Sequence, residues 1–275
     1  MVNIAWTKKY PSKELLRRDI DAMIAAATKV ILKNFDKRKI KYITLVGSTC
    51  KPWDSLIDYV PWISDVDIHV CFKDKDLFLN LDTVDKSAVF ANKIENAYKK
   101  SLPEHYHYPT LQLNSINKIS SLKAYMPVPK ISERFLFSHG SKEFVRPRVR
   151  YKISVAKKEI IEHNNFVNNF FSRIIDKNRD TMEKYVREIG WRISPASYST
   201  LFILGASYDE AFGYNRTAIM KRFKKLGYAK LSNDYASFYI YAWKYYLSKD
   251  FKYLKKCLHH GHAALKQMIE IAEKK

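Results

Sequence analysis

The sequence is poor in cysteine and has no long apolar run, and both absences exclude classes of protein. Its three cysteines, Cys50, Cys71 and Cys257, are far apart and form no CxxC pair. This spacing argues against a disulfide framework and against a zinc cluster. No apolar run approaches the roughly 18 residues of a membrane span, and the N-terminus lacks the apolar segment of a signal peptide. We therefore expect a soluble cytoplasmic protein without a membrane partner.

Glycine and acidic residues are also scarce. Only 7 of the 275 residues are glycine, and Gly47 is the sole glycine before residue 140. There are 28 acidic residues against 49 basic ones, a formal net charge of +21. A surplus of this size predicts salt-sensitive binding of a polyanion such as nucleic acid. The alternative is a protein that is merely rich in lysine.

Against this basic background, residues 51–90 carry 8 acidic and 4 basic side chains. Such an acidic segment is either a solvated loop or a carboxylate site for divalent cations. Apolar residues make up 47% of the chain and aromatic residues 14%. That composition supports a packed core and excludes a disordered basic tail.

Periodicity predicts a mixed α/β first half. Residues 13–34 show a helical apolar stripe with Ser12 as its N-cap, and 85–102 form a second helix. Strands are predicted at 42–46, which stops at Gly47, and at 65–72, 108–116, 124–128 and 145–155. In the strand 65–72, Asp65, Asp67 and His69 alternate with apolar residues and share one face.

The second half of the sequence is predicted to be entirely helical. Helices are predicted at 157–177, 179–190, 195–211, 215–226, 234–247 and 250–273, with breaks at Gly190, Gly213 and Gly227. The sequence therefore predicts an α+β protein with two domains. These are an α/β domain with a mixed sheet at 1–155 and an all-α domain at 156–275.

One group of residues has the composition of a catalytic site. Gly47 and Ser48 lie at the end of a predicted strand, and Asp65 and Asp67 lie inside the next one. Two carboxylates one pleat apart can share divalent ions that bind a triphosphate. A Gly-Ser turn lets backbone amides and a hydroxyl approach phosphates closely. The combination fits nucleotidyl transfer, which depends mainly on positioning and charge neutralisation.

The stretch LVGSTCKPWDSLIDYVPWISDVDIHV resembles the core signature of the DNA polymerase β-like nucleotidyltransferase superfamily. The position of Trp53 and the long loop before Asp65 are most similar to archaeal CCA-adding enzymes. The resemblance covers about residues 40–72. It implies a nucleotidyltransferase-type mixed sheet, with Asp65 and Asp67 as catalytic metal ligands and Gly47 and Ser48 as nucleotide-binding residues.

The same resemblance implies a third carboxylate on a following strand. That strand is expected around 108–116, which contains no Asp or Glu. Gln112 and Asn114 stand there, and an amide supplies no negative charge to a divalent ion and cannot serve as a base. Either the third acid comes from Glu104, Glu133 or Glu143, or catalysis is weakened or lost.

Three other patterns have competing interpretations. Arg146, Arg148 and Arg150 share one face of a predicted strand and either bind a nucleic-acid backbone or guard a solvated edge. His259, His260 and His262 lack an evident fourth ligand, which disfavours a metal site. The aromatic run at 238–246 either stacks on bases or packs in the core, and core packing is the commoner role.

The sequence thus predicts a metal-dependent nucleotidyltransferase. It would transfer a nucleoside monophosphate from an NTP to a hydroxyl, with Mg²⁺ or Mn²⁺ as cofactor and pyrophosphate as leaving group. The positive charge favours RNA, tRNA-like or otherwise structured, as acceptor. Two alternatives remain open: a catalytically degenerate nucleic-acid-binding module of the same fold, and a nucleotidyltransferase that modifies a protein or a small molecule.

Overall fold

The computed structural model of the chain describes residues 3–120, 128–139 and 152–275. The protein is α+β, as expected, and combines a mixed sheet with many helices. It divides into two compact units. The sheet unit contains the described residues of 8–51 and 64–150, and the helical unit contains those of 1–7, 52–63 and 151–275. The units are therefore interleaved in sequence, whereas the predicted division is a single cut after residue 155.

The sheet unit is built from four strands and three helices within the described residues. In chain order these are α1 (Lys13–Asn34), β1 (Ile40–Val46), β2 (Asp65–Phe72), α2 (Val84–Ser101), β3 (Thr110–Ser115), α3 (Ile116–Ile119) and β4 (Glu133–Ser138). The strand order is β3-β2-β1-β4. β2 runs parallel to β3, and β1 is antiparallel to both β2 and β4.

Helix α1 forms where its apolar period predicts. The side chain of Ser12 accepts a hydrogen bond from the backbone N–H of Leu15 at 3.2 Å and so caps the first turn. The whole predicted stripe is buried: Leu16, Ile20, Met23, Ile24, Ala27, Val30 and Ile31. Beyond the end of the helix, the ring of Phe35 packs edge-on against Phe72 of β2, with 5.9 Å between ring centroids.

Strand β2 has one apolar and one polar face. Val66, Ile68, Val70 and Phe72 are at most 1% exposed, whereas the alternating residues Asp65 to Cys71 are half-buried. Because Phe72 contacts Phe35, the apolar face is the one covered from the direction of α1. The two aspartates therefore project from the opposite face of the sheet.

A buried aspartate of α1 holds the segment that leads into β3. The carboxylate of Asp19 is fully buried and accepts hydrogen bonds from the backbone N–H groups of Tyr106 and His107, both at 2.9 Å. The Nδ1 atom of His107 lies 3.0 Å from the same oxygen. A buried carboxylate with several donors is stable in the interior, since its charge is compensated.

The helical unit contains eight helices within the described residues. They are α4 (Ile153–Ile161), α5 (Asn164–Asn168), α6 (Phe170–Ile174), α7 (Arg179–Ile203), α8 (Tyr208–Gly213), α9 (Arg216–Lys225), α10 (Ala229–Ser248) and α11 (Phe251–Lys274). The predicted ends at Gly213 and Gly227 are confirmed, and Gly227 has the positive φ of +88° that suits a residue after a helix.

Several element predictions were wrong or lie outside the described residues. The predicted helix 195–211 is divided between α7 and α8. The predicted helix 157–177 is divided into α4, α5 and α6. Gly190 is not a break, since α7 continues through it, and a Cβ there would lie 2.9 Å from Ile63 Cγ2. The predicted strand 145–155 is helical from Ile153 onward. Its residues 145–151, like 124–127 of another predicted strand, lie outside the described residues.

Residues 52–63, which separate the Gly-Ser pair from the aspartate pair, belong to the helical unit. Asp58 holds them there: it is 2% exposed and accepts hydrogen bonds from Asp54 N at 2.8 Å, Ser55 N at 2.9 Å and both the N–H and hydroxyl of Thr217. The indole N–H of Trp243 donates to Leu56 O at 2.8 Å. This segment is therefore a fixed part of the helical core.

Among the described residues, every helix is too short or too polar to cross a bilayer.

Candidate active site

Gly47 ends β1 in a conformation that only glycine adopts without strain. Its φ is +80°, and the chain continues as a single 3₁₀ turn, Gly47–Thr49. A Cβ built on Gly47 would overlap Oδ2 of Asp67, with the Cγ of that residue 3.4 Å away. The carboxylate of Asp67 therefore lies directly against the α-carbon of Gly47.

The sheet register explains this contact. Val46, the last residue of β1, pairs with Asp67 of β2, so their side chains share a face and the turn begins beside the carboxylate. Asp65 lies one pleat away on the same face. Both aspartates are half-buried, and both interact with neighbouring groups, as does Ser48 in the turn. The structure thus brings Gly47, Ser48, Asp65 and Asp67 to one end of the sheet.

A cation on α1 fixes the far end of the turn. The guanidinium of Arg17 donates to the carbonyl oxygens of Thr49 and Lys51, the latter at 3.0 Å. Inside the turn, Cys50 N donates to Gly47 O at 3.2 Å, and the Cys50 thiol lies 3.0 Å from Leu45 O. Sequence reasoning missed Arg17, because the helical period gives no sign of what an outward-facing arginine contacts.

Cys50 is not a nucleophile in this arrangement. Burial raises the pKa of its thiol to about 11, and the nearby guanidinium groups of Arg134 and Arg17 only partly oppose this effect. The thiol is therefore protonated at neutral pH, and a protonated thiol neither attacks nor binds a metal efficiently.

Strand β3 occupies the place where a third carboxylate was expected. It runs parallel to β2, with Thr110 opposite Asp65 and Gln112 opposite Asp67. The nearest cross-strand neighbours of the aspartates on this side are thus a hydroxyl and an amide. These groups can hydrogen-bond to a carboxylate, but they add no negative charge.

A carboxylate is present on the other side of the site. Glu133 begins β4 and pairs with Val46, so Asp67, Val46 and Glu133 form one row across three strands. Two strand spacings separate the α-carbons of Asp67 and Glu133, about 10 Å. Its charge is also among the causes that raise the pKa of Cys50, after burial.

Of the two alternative third acids within the described residues, Glu133 is on this row and Glu104 is not. Glu104 lies exposed after α2, with its carbonyl oxygen 2.9 Å from Arg18 of α1, and Glu143 is outside the described residues. Within residues 3–120, 128–139 and 152–275, no three His, Cys, Asp or Glu side chains are placed to hold a metal ion by themselves. The donor set at the site is therefore the aspartate pair, with Glu133 on the neighbouring row.

His69 continues the carboxylate face of β2 and pairs with the buried Thr44. Burial lowers the pKa of His69 to about 4. The imidazole is therefore neutral at physiological pH and lines this face without adding positive charge.

The other sequence patterns do not join this site. Arg146, Arg148 and Arg150 lie outside the described residues. The histidines of α11 have separate partners: His260 Nδ1 lies 2.9 Å from Asp234 Oδ1, and His262 Nε2 lies 3.0 Å from Val167 O. Most of the aromatic run is core: Phe238, Tyr239, Trp243 and Tyr245 are fully buried.

Comparison with protein-family models, with curated proteins and with solved structures found no match to this chain.

Proposed function

We propose that the protein is a nucleotidyltransferase that transfers a nucleoside monophosphate from an NTP to a hydroxyl group, with pyrophosphate leaving. The observation that carries this proposal is the contact between the Asp67 carboxylate and the α-carbon of Gly47 at the end of β1. It supports a site in which paired acids and a glycine turn face the same triphosphate. The resemblance of residues 40–72 to DNA polymerase β-like nucleotidyltransferases points to the same reaction.

Asp65 and Asp67 are assigned to a divalent cation, Mg²⁺ or Mn²⁺. Carboxylate oxygens are hard ligands, and Mg²⁺ is commonly held by one or two carboxylates together with substrate phosphates and water. A pair of aspartates without a third protein ligand is compatible with that chemistry. When bound, the ion would neutralise charge on the triphosphate.

Gly47 and Ser48 are assigned to the phosphates of the nucleotide. Glycine has no Cβ, so its backbone N–H can approach a phosphate oxygen closely, and the Ser48 hydroxyl adds a second donor. Arg17 stabilises the turn by donating hydrogen bonds to the carbonyl oxygens of Thr49 and Lys51. The turn is thereby held rigid before substrate arrives, which reduces the reorganisation needed for transfer.

Glu133 is assigned to the attacking hydroxyl. It begins β4, on the far side of Val46 from Asp67, and its carboxylate can accept the proton of an acceptor hydroxyl placed over Val46. This assignment replaces the acid expected on β3, where Gln112 cannot act as a base. RNA is the favoured acceptor, because a net charge of +21 attracts a polyanion.

The test is transfer of label from α-³²P NTPs to total RNA in the presence of Mg²⁺. We expect Asp65→Asn with Asp67→Asn to abolish transfer, and Glu133→Gln to lower it about 100-fold or more, the usual contribution of a general base. Asp74→Asn is the matched control, since it removes one charge from an exposed position of the same unit. Transfer that survives the double substitution would remove the aspartates from the mechanism.

A degenerate, non-catalytic module is the second candidate. The amide opposite Asp67 on β3 favours it, since no carboxylate stands there. Thermal unfolding with and without NTP and Mg²⁺ distinguishes the two functions. An intact site should raise the midpoint, because a ligand at 100 times its Kd stabilises the folded state by about 2.7 kcal/mol. A degenerate module should show RNA binding without this shift. Labelling of protein or small molecules but not RNA would indicate the other acceptor classes.

A further inference from the structure

The aromatic residues of α10 divide into two groups. Phe238, Tyr239 and Tyr245 are fully buried and belong to the core, but Tyr241 is only half-buried. Tyr241 stands between two other half-buried rings, which come from α11. Its ring centroid lies 5.4 Å from that of His260, with 9° between planes, and 6.2 Å from that of Tyr253, with 19° between planes. Three nearly parallel rings therefore reach the surface of the helical unit.

Lysines surround this stack. The Nζ atom of Lys244 lies 5.1 Å from the ring centroid of Tyr241, and that of Lys256 lies 5.1 Å from the same centroid. Lys252 Nζ lies 4.9 Å from the ring of Tyr253. We call the six residues Tyr241, Tyr253, His260, Lys244, Lys252 and Lys256 the aromatic–lysine face.

The charge of this face is poorly balanced. The sequence from residue 251 to residue 269 contains four lysines but no Asp or Glu. Lys252 has an ion pair with Asp250 at 2.7 Å. In the described part of the chain, no carboxylate comes within ion-pair distance of Lys244 or Lys256. Crowded like charges that are not neutralised within the protein attract an anionic partner.

The orientation of the stack is fixed by a hydrogen-bond network. Asp234, which is 7% exposed, places Oδ1 2.9 Å from His260 Nδ1. Its Oδ2 accepts from Lys230 and from Gln267, both at 2.9 Å. The carboxylate of Asp234 is thus occupied with holding His260, and hence the ring of Tyr241, in place. A pre-oriented ring loses little conformational entropy when a ligand stacks on it.

A pocket lies on another face of α11. Its volume is about 510 Å³, and it is lined mainly by apolar side chains of α6 and α11, including Phe170, Phe171 and Phe251. Lys255 and His259 also line it, and both are exposed one helical turn apart. Pockets of this volume accommodate small organic groups, of which a nucleobase is one. The exposed lysines of α11 therefore have an aromatic surface on each side.

We propose that the aromatic–lysine face binds single-stranded RNA, with phosphates on Lys244, Lys252 and Lys256 and a base stacked on Tyr253, the end ring of the stack. Proteins that bind single strands combine a positively charged track with aromatic platforms, because every base has a π-face and every nucleotide a phosphate. The proposal identifies a binding surface for the RNA acceptor. Its RNA-binding test needs neither nucleotide nor metal, so it stands or falls separately from the catalytic assignment.

The first test measures phosphate contacts by fluorescence anisotropy of a labelled 12-nucleotide RNA, titrated without NTP or Mg²⁺ at several salt concentrations. We expect Lys252→Gln with Lys256→Gln to weaken binding about tenfold and to reduce the slope of log K against log salt by about 1.4. The matched control is Lys266→Gln with Lys274→Gln, which removes the same charge from exposed positions of the same helix. It should change affinity less than about threefold.

The second test separates stacking from charge. Tyr253→Leu keeps an apolar side chain but removes the ring, and we expect about fivefold or greater loss of affinity with an unchanged salt slope. Irradiated RNA that carries 5-iodouridine should cross-link to the peptide that contains Tyr253. Circular dichroism of each variant checks that the helices remain folded.

Three results would overturn the proposal: no RNA binding by the wild-type chain at low salt, equal losses for the two lysine pairs, or full affinity in Tyr253→Leu. The last two would assign the face to general charge attraction or to a protein partner. Asp65→Asn with Asp67→Asn should bind RNA as wild type does. Loss of transfer with retained RNA binding would therefore concern the catalytic assignment and not this one.

Discussion

At the scale of single residues, Gly47 has no room for a side chain. Its φ is +80°, and a Cβ would overlap the Asp67 carboxylate. We expect Gly47→Ala to destabilise the protein by about 1–3 kcal/mol, because it adds backbone strain to a steric clash. It should also abolish stabilisation by NTP with Mg²⁺. Differential scanning calorimetry with and without the ligands measures both effects.

Gly227 provides the control for this substitution. It has a similar φ of +88°, but nothing lies within 4 Å of a Cβ placed there. Gly227→Ala should therefore show the cost of the left-handed conformation alone, about 1–2 kcal/mol, and leave the response to NTP unchanged. Equal effects of the two substitutions on nucleotide binding would contradict a special role for the contact between Gly47 and Asp67.

The residues of the site differ in how far the sequence could predict them. Asp65, Asp67 and Gly47 follow from local patterns: strict alternation for the strand, and a lone glycine at a strand end. Glu133 could be named only as one of three candidates, because its position depends on the pairing of β4 with β1. That pairing joins segments about 90 residues apart in the sequence. The run ERFLFS does not alternate clearly enough between apolar and polar residues to predict a strand.

At the scale of elements, the acidic residues of the segment 51–90 have three different roles. Asp65 and Asp67 lie at the candidate site, whereas Asp58 accepts hydrogen bonds from Asp54, Ser55 and Thr217 inside the helical unit. Others cap or pair locally, as Asp82 does with Lys86 at 2.7 Å. Charge counting identifies the segment, but only tertiary contacts separate ligand-binding carboxylates from structural ones.

Helix ends were predicted well where glycine or an N-cap marks them and poorly where packing overrides the signal. Gly213 and Gly227 end helices, but Gly190 and Gly261 lie inside α7 and α11. At these two positions the missing side chain serves close approach between elements. A Cβ on Gly261 would lie 2.6 Å from Ile189 Cγ2 and 2.8 Å from Phe238 Cδ2.

This close approach gives a prediction for the helical unit. Gly261→Val should overfill the contact of α11 with α7 and α10 and destabilise the protein by about 2–3 kcal/mol. For a unit of this size, such a loss lowers the unfolding midpoint by roughly 4–12 °C. Ala263→Val is the control, since Ala263 is half-buried on the same helix. A midpoint equal to that of the control would show that α11 can shift without cost.

At the scale of the whole molecule, both units carry histidines that burial keeps neutral. Burial lowers the pKa of His107 in the sheet unit, and the nearby Asp19 carboxylate only partly opposes this effect. In the helical unit, burial lowers the pKa of His163 and of His262. Three neutral imidazoles, one buried and two half-buried, thus lie outside the candidate active site, distributed over two compact units.

The sign of the resulting pH dependence follows from proton uptake. Each histidine has a lower pKa in the folded state than in the unfolded chain, where it is about 6.5. As the pH falls below about 7, the unfolded state therefore takes up protons first, and the free energy of unfolding decreases. We expect the thermal midpoint to fall steadily between pH 7.5 and pH 5, with most carboxylates still ionised in that range. His107→Asn removes one titrating group and should flatten the dependence. A midpoint that is constant over this range, or that rises on acidification, would mean that the buried imidazoles gain compensating partners when protonated.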